Sequence, residues 1–277
     1  MNTTPKPAAH EDEDHDLGLS HDLPRLLNRR AALTIFSGVT LAALTGCATS
    51  ASSTSSSSAV GSAAATTAAA TSEIPEETAG PYPADGSNGR NILDQSGVVR
   101  SDITSSFGSS TTVAEGIPLT VALTIVDFSN GSAPLEGAAV YLWHCDRDGN
   151  YSMYSDAVVN ENYLRGVQVA DADGLVTFQS IYPACYSGRW PHIHFEIYPS
   201  IDEATTAGSR LRTTQLALPE DVSSSVYATT GYERSISNLA QVSLQSDNVF
   251  SDGYSMQMAT VTGDTSSGFT ASLNVPV

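Results

Sequence analysis

Basic residues are scarce in this sequence, and their scarcity argues against one large class of function. Twelve lysines and arginines stand against thirty aspartates and glutamates, which gives a formal net charge of −18. The only lysine is Lys6, close to the first residue. Binding to a phosphate backbone depends on clusters of lysine and arginine. We therefore expect no nucleic-acid partner, and an acidic surface is compatible with an exported enzyme that acts on small molecules.

Several signatures of catalysis and of membrane insertion are also missing. The sequence has no Gly-rich phosphate loop, no nucleophile elbow and no Cys-x-x-Cys metal knuckle. The apolar run from Ala31 to Leu44 carries no charge. It is nevertheless too short for a comfortable transmembrane helix, which needs about 20 apolar residues.

The apolar run has the context of an export signal. Arg29 and Arg30 precede it, and Leu44-Thr45-Gly46-Cys47 closes it. A basic start, an apolar centre and a small residue before the cleavage point are typical of a bacterial signal peptide. The arginine pair resembles a twin-arginine signal, and the closing tetrapeptide resembles a lipobox, whose cysteine is lipidated. We therefore expect a signal peptide over residues 1–47 with a lipid on Cys47; the alternative is an ordinary secretory signal with a chance cysteine.

The segment after the signal has the composition of a tether. Residues 48–72 are almost entirely serine, alanine and threonine, so they have no large apolar side chain to bury. Residues 73–277 are long enough for one domain with a sizeable core. The predicted protein is thus an extracytoplasmic domain on the outer face of a bacterial membrane, which it contacts only through the lipid at Cys47.

Three cysteines leave an even pair if Cys47 takes the lipid. Cys145 and Cys185 would then lie in an oxidising compartment, where disulfides form and persist. Cys145 lies six residues before Tyr151, and Cys185 directly precedes Tyr186. We expect a disulfide that joins these two loops; the alternative is a pair of buried free thiols.

The domain is predicted to be mainly β, a sandwich of mostly antiparallel strands with few helices. Short runs of β-forming residues recur with Gly, Asp, Asn or Pro between them. Asp171-Ala172-Asp173-Gly174 is a turn signal that joins two of them into a hairpin. One helix is predicted over Glu233–Leu244. The predicted strands are Leu119–Phe128, Ala138–Cys145, Gly166–Ala170, Leu175–Ile181, His192–Tyr198, Arg212–Leu218, Met256–Thr262 and Phe269–Val275.

Two histidines on one strand are the strongest chemical signal. Side chains alternate along a strand, so His192 and His194 point to one face while Ile193 and Phe195 point to the other. Two imidazoles side by side can chelate a transition metal. After the export signal the sequence has only one other histidine, His144. The alternative interpretation is a solvated polar face with no ligand.

Three segments carry a family resemblance, and they occur in a fixed order. They are Ala79-Gly80-Pro81-Tyr82-Pro83, the run from Gly137 to Asp146 that leads to Gly149-Asn150-Tyr151, and the run from Tyr186 to His194. Together they resemble the intradiol ring-cleavage dioxygenases, the catechol and protocatechuate dioxygenase superfamily, and the export signal indicates a secreted subgroup. In that family, a β-sandwich holds a non-haem ferric ion between two tyrosinates and two histidines.

The resemblance implies a role for each matching position. Tyr151 and Tyr186 correspond to the tyrosine ligands, and His192 and His194 to the histidine ligands. Tyr186 would also act as a base, because in the family the second tyrosinate leaves the metal and accepts a substrate proton. The family further keeps an arginine over the substrate ring and a glutamine beside that arginine. These two positions are Arg189 and Gln215 here.

The resemblance implies an Fe(III) dioxygenase that cleaves a catechol-type ring between its two hydroxyls. Its partners would be a small aromatic diol and O2, its product a muconate-type diacid, and the ring substituents stay open. One alternative is a non-catalytic binding module of the same ancestry, for a carbohydrate or cell-wall polymer. Another is a zinc or copper hydrolase or oxidase built on the histidine pair. Neither alternative requires Tyr151 and Tyr186 to converge with the histidines.

Overall fold

The computed structural model describes residues 71–206 and 208–277. The predicted signal peptide, Cys47 and most of the predicted tether lie outside the described residues, so these assignments stay predictions. Within the described residues, no helix combines the length and the apolar character needed to cross a bilayer.

Two sheets make up the described domain, as predicted. The strands are β1 Pro118–Asp127, β2 Ala133–Pro134, β3 Ala139–Trp143, β4 Arg165–Val169, β5 Leu175–Ile181, β6 His192–Tyr198, β7 Arg212–Ala217, β8 Thr260–Asp264 and β9 Gly268–Pro276. One sheet has the strand order β2-β1-β9-β8, with β5 also paired to β1, and the other has the order β4-β3-β6-β7. Every strand pair is antiparallel except β1 with β9.

The main core lies between the two sheets and determines which way β6 presents its histidines. Val121 of β1 and Phe178 of β5 belong to the same buried cluster as Leu142 of β3 and Phe195 of β6. Because side chains alternate on a strand, the neighbours of these residues on β3 and β6 point away from the sandwich. That outer face carries a second buried cluster with Trp143. The two histidines lie on this covered face and not in solvent.

Three short helices accompany the sheets: α1 Ile201–Thr205, α2 Glu220–Tyr227 and α3 Glu233–Leu239. The first two were not predicted. Ser200 caps α1 by accepting a hydrogen bond from the Glu203 backbone N–H at 3.3 Å, and Ser-x-x-Glu is a recognisable start signal. Helix α2 begins after Pro219 with Glu220 and Asp221 in its first turn, where acidic residues favour a helix.

Two predicted elements differ from the observed ones by more than two residues at one end; the other predicted strands agree to within two residues at each end. The helix predicted to continue to Leu244 ends at Leu239. The backbone that follows forms turns, in which the Ser246 hydroxyl accepts from the Ser243 N–H at 2.9 Å; such local side-chain bonds compete with helix formation. The strand predicted from Met256 begins only at Thr260, because the residues before it fold into a turn after Tyr254.

Candidate active site

Strand β6 and two loops bring four predicted ligands to one point. The Nε2 atoms of His192 and His194 lie 3.1 Å apart. The Tyr186 hydroxyl lies 3.2 Å from His192 Nε2 and 3.4 Å from the Tyr151 hydroxyl. The Tyr151 hydroxyl is also 3.4 Å from His192 Nε2. The structure therefore places the four side chains together, whereas their role as ligands stays a prediction.

One aspartate and one glycine determine the conformation of the loop that carries Tyr151. Asp146 Oδ1 accepts from the backbone N–H groups of Asp148 at 2.9 Å and Asn150 at 2.8 Å. Gly149 has a φ of +90°, a conformation that costs other residues energy. A Cβ at Gly149 would also lie 3.2 Å from Tyr186 Cβ. The glycine thus lets the two tyrosine loops approach each other.

Helix α3 holds the loop that carries Tyr186. The hydroxyl of Ser235 accepts from the Cys185 N–H at 3.0 Å, and Asn238 Nδ2 donates to the Cys185 carbonyl at 2.8 Å. The Ala184 N–H donates to the Asp146 carbonyl at 3.1 Å, which ties this loop to the first one. The residue before Tyr186 is thereby fixed at both its backbone groups.

Burial keeps the four side chains neutral unless a cation is present. It lowers the pKa of both histidines well below the usual range, so the imidazoles have the uncharged form that binds metals. It also raises the pKa of Tyr186 to about 12, against the opposing effect of Arg189, and the pKa of Tyr151 well above its usual value. Neither phenol would therefore ionise near neutral pH without a cation beside it.

Hydrogen bonding fixes the orientation of the first histidine. His192 Nδ1 lies 2.5 Å from the Trp190 carbonyl oxygen, to which it donates as N–H. In a neutral imidazole the other nitrogen then carries a lone pair. His192 Nε2 consequently presents that lone pair to His194 and the two tyrosine hydroxyls.

The spacing and chemistry of the four donor atoms fit a single metal ion. Ligand atoms bound to one metal at about 2.0–2.1 Å lie about 3.3–3.4 Å apart in a tetrahedral arrangement. The four separations observed here, three of them from His192 Nε2 and one between the phenol oxygens, run from 3.1 to 3.4 Å. No group of three or more histidine, cysteine or carboxylate side chains suited to a metal occurs among the described residues. At this site, a metal would therefore depend on the tyrosines, and phenolates suit a ferric ion.

Aromatic rings pack next to His194, the second predicted histidine ligand. Trp143, opposite His194 in the β3–β6 ladder, stacks on the imidazole with a centroid distance of 5.0 Å and an interplanar angle of 7°. Tyr141 stacks on Trp143 at 4.9 Å. Gly80 approaches the imidazole closely, since a Cβ there would lie 3.4 Å from His194 Cε1. Contacts with Trp143 and with the Gly80 backbone thus restrict the ring of His194.

The segment from Ala79 to Pro83 covers the site and is fastened by a buried arginine. Tyr82 packs on Tyr151 with a centroid distance of 4.8 Å. Arg165, which is fully buried, donates through Nη1 to the Pro83 carbonyl at 3.1 Å and through Nε to the Ser152 hydroxyl at 3.0 Å. It joins the covering segment to the residue after Tyr151. No local sequence pattern indicates this role.

Arg189 and Gln215 lie beside the four side chains, and their roles toward a substrate stay predictions. Arg189 Nη1 is 3.4 Å from His192 Nε2, and its Nη2 donates to Gln215 Oε1 at 2.7 Å. Gln215 Nε2 donates to the Thr78 carbonyl at 2.9 Å, which orients the amide. Asp247 accepts from Arg189 Nε at 2.9 Å. This aspartate was not predicted either, because a lone Asp in a serine-rich turn gives no sequence signal.

His144 and Trp190 belong to the scaffold. His144 Nδ1 lies 2.7 Å from the Cys145 carbonyl and its Nε2 lies 2.7 Å from the Ser180 hydroxyl, and burial lowers its pKa to about 4. Trp190 is buried and donates through Nε1 to the Leu218 carbonyl at 2.8 Å. Neither side chain contributes a donor atom to the four-atom cluster.

The predicted disulfide is not formed in the structure. Cys145 and Cys185 are free and buried. Cys145 Sγ lies 3.7 Å from the Ala184 carbonyl and Cys185 Sγ 3.4 Å from the Arg189 carbonyl, so each thiol donates to a backbone acceptor of its own. Burial raises the pKa of Cys185 to about 12 and that of Cys145 further. The alternative of two buried thiols describes the structure.

Comparison with known proteins agrees with the motifs and the fold. A family model described as "Dioxygenase" matches residues 109–226, a range that contains all six predicted site residues. An intradiol ring-cleavage dioxygenase from Tetranychus urticae has a similar structure, with 27% identity, a TM-score of 0.59, and coverage of 74% of this chain and 94% of that one. A second solved dioxygenase gives 28% identity and a TM-score of 0.58, over 74% of this chain and 93% of its own.

A curated relative supports the same assignment over a shorter stretch. Chlorocatechol 1,2-dioxygenase from Rhodococcus opacus is 43% identical over 53 residues, which is 19% of this chain and 21% of that protein. The match therefore spans about a fifth of the relative. Taken with the family model and the two structures, it agrees with the resemblance to the intradiol ring-cleavage dioxygenases that the sequence motifs carry.

Proposed function

We propose that this protein is a non-haem Fe(III) dioxygenase that cleaves catechol-type rings between the two hydroxyls and produces muconate-type diacids. The observation that carries the proposal is the convergence on His192 Nε2 of the other imidazole nitrogen and the two phenol oxygens, at 3.1 to 3.4 Å, with the two phenol oxygens 3.4 Å apart. Similarity to the intradiol family supports the reaction class.

Tyr151, Tyr186, His192 and His194 would hold the ferric ion. When bound, the ion would remove the protons from both phenols and supply the Lewis acidity and redox chemistry that the diol and O2 require. The buried imidazoles are already neutral, so they bind without losing a proton. The phenols contribute the negative charge that a trivalent cation favours.

Tyr186 is the phenol best suited to move a proton. It is half-buried, whereas Tyr151 is buried, so its oxygen is the one that an incoming diol can reach. Once the ion had removed the phenol proton, the Tyr186 oxygen would accept a proton from the diol, and Tyr151 would serve as a ligand only.

Arg189 supplies a fixed positive charge at the edge of the site. Burial alone would lower its pKa, but Tyr186 and Asp247 beside it raise that pKa above the ordinary value. The guanidinium is thus charged throughout the working pH range and would stabilise negative charge that develops near the ring. Gln215 anchors it by accepting from Nη2.

The proposed setting is extracytoplasmic. Export by the signal peptide over residues 1–47 and anchoring through Cys47 would place the domain at the outer face of a bacterial membrane. Small aromatic diols and O2 would be its partners there. The strong excess of acidic residues is compatible with this setting and disfavours a nucleic-acid partner.

Oxygen consumption with a panel of catechols tests the proposal. The iron-loaded protein should take up O2 without an added reductant and release a cis,cis-muconate-type diacid. Tyr198→Phe is a suitable control, because this phenol is buried on the same strand but donates to Glu196 at 2.7 Å; it should retain the activity.

Two results would contradict the proposal. A semialdehyde product would place the cleavage beside the two hydroxyls instead of between them. Bound iron with no oxygen uptake across the panel would favour a non-catalytic binding module of the same ancestry.

A further inference from the structure

Both carboxylate oxygens of Asp247 accept hydrogen bonds close to the site. The side chain is completely buried. Its Oδ2 accepts from Arg189 Nε at 2.9 Å and from the Trp190 backbone N–H at 2.7 Å. Its Oδ1 accepts from the backbone N–H groups of Val249 at 2.8 Å and Phe250 at 3.1 Å. One carboxylate thus joins the turn at 247–250 to the residues just before β6.

The guanidinium of Arg189 is held on three sides. Its Nε edge is bound by Asp247, its Nη2 donates to Gln215 Oε1 at 2.7 Å, and its Nη1 faces His192 Nε2 at 3.4 Å. The Arg189 side chain is 14% exposed, so its charge is largely removed from water. A buried cation of this kind requires a compensating partner.

We propose that Asp247 is a positioning residue for the ring cleavage proposed above: it acts through Arg189 and fixes that cation beside His192 before a substrate binds. A charge that is already oriented where charge develops costs no reorganisation during the reaction. The same carboxylate fixes the Trp190 N–H, two residues before His192. Asp247 lies outside the matched range of 109–226. The effect on turnover rests on the proposed function, whereas the pairing with Arg189 does not.

A purely structural role is the competing explanation, because Asp247 Oδ1 also caps the turn that contains Val249 and Phe250. Asp247→Asn separates the two roles. The amide oxygen can still accept from the turn, but the negative charge is lost and the amide nitrogen cannot accept from Arg189 Nε. Asp264→Asn is the matched control. Asp264 is exposed, and its Oδ1 caps a turn by accepting from the N–H groups of Ser266 and Ser267 at 2.8 and 2.9 Å.

Turnover in the full-length, iron-loaded protein is the first measurement. Asp247→Asn should lower kcat by a factor on the order of 10², change KM by less than about threefold and leave the iron content unchanged. Asp264→Asn should leave kcat unchanged. An unchanged kcat in Asp247→Asn would overturn the proposal, as would a fall that matches a loss of iron.

A double-mutant cycle tests whether Asp247 acts through Arg189. In the background of Arg189→Leu, adding Asp247→Asn should produce no further fall in kcat, because the group to be positioned is already gone. Losses that multiply in the double variant would show that the two residues act independently and would overturn the proposal.

Urea unfolding of the wild type, Asp247→Asn, Arg189→Leu and the double variant provides a readout that does not depend on catalysis. Each single substitution leaves a buried charge without its partner, whereas the double substitution removes both. The shift of the unfolding midpoint in the double variant should therefore be smaller than the two single shifts combined; additive shifts would overturn the pairing. Absence of turnover in the wild type would overturn the proposed function instead, and the midpoints would still decide whether Asp247 and Arg189 form a pair.

Discussion

Replacement of Tyr186 by phenylalanine separates its two proposed functions, as ligand and as proton acceptor. The variant removes one of four donor atoms and leaves Tyr151, His192 and His194, whose spacing does not depend on Tyr186. Three protein ligands are sufficient for many catalytic metal sites. We therefore expect Tyr186→Phe to retain most of its iron, while its visible absorption band changes because one phenolate is lost.

The expected kinetic effect follows from the position of the phenol oxygen. Tyr186 is the more exposed of the two tyrosines and is the proposed proton acceptor, so its replacement removes the group that accepts the substrate proton. Proton transfer by a positioned side chain contributes about 10²–10⁴-fold to a rate. We expect kcat to fall by a factor within that range, with a smaller change in KM.

Three measurements on one preparation check this prediction: the iron content, the visible spectrum and oxygen uptake with catechol. Tyr198→Phe, the same chemical change at a buried phenol that donates to Glu196, should match the wild type in all three. If Tyr186→Phe kept the wild-type spectrum and the wild-type rate, Tyr186 would be neither a ligand nor a base.

Three further predictions concern ligands, scaffold and thiols. His192→Ala and His194→Ala should each lose iron, measured by metal analysis. His144→Ala is the control and should keep its iron, because His144 contributes no donor atom to the site. Wild-type iron content in the first two variants would place the metal elsewhere. Arg165→Met should lower the free energy of unfolding by about 3 kcal/mol or more, because the carbonyls and hydroxyl that it binds lose a charged donor; a urea midpoint near the wild-type value would contradict this. Cys145 and Cys185 should resist iodoacetamide at neutral pH, because their raised pKa values keep them protonated, and both should react after unfolding without reductant. Peptide mapping that finds them joined would show a disulfide instead.

Regular strands explain why much of the fold could be predicted from the sequence. The predicted bounds of β5 and β6 are the observed ones, because runs of β-forming residues there end at clear Pro, Gly and Asp signals. Alternation along β6 then determined that His192 and His194 share a face, without any knowledge of the other elements. The motif order placed Tyr151 and Tyr186 beside them.

Long-range side-chain pairs explain most of what could not be predicted. Arg165 reaches the Pro83 carbonyl, 82 positions away, and Asp247 reaches Arg189, 58 positions away; no local pattern reports such contacts. The predicted disulfide was wrong for the same reason, because local sequence does not report the direction of a side chain in a distant contact. Cys145 and Cys185 lie on loops that do contact each other, but the direction of each thiol is set by its own backbone acceptor.

The central claim is that Tyr151, Tyr186, His192 and His194 hold one ferric ion. It is tested most directly by the metal content and visible spectrum of the purified, iron-reconstituted protein. We expect one iron per chain and a red-brown band from charge transfer between tyrosinate and iron. A colourless protein that contains zinc and cannot be reconstituted with iron would contradict it.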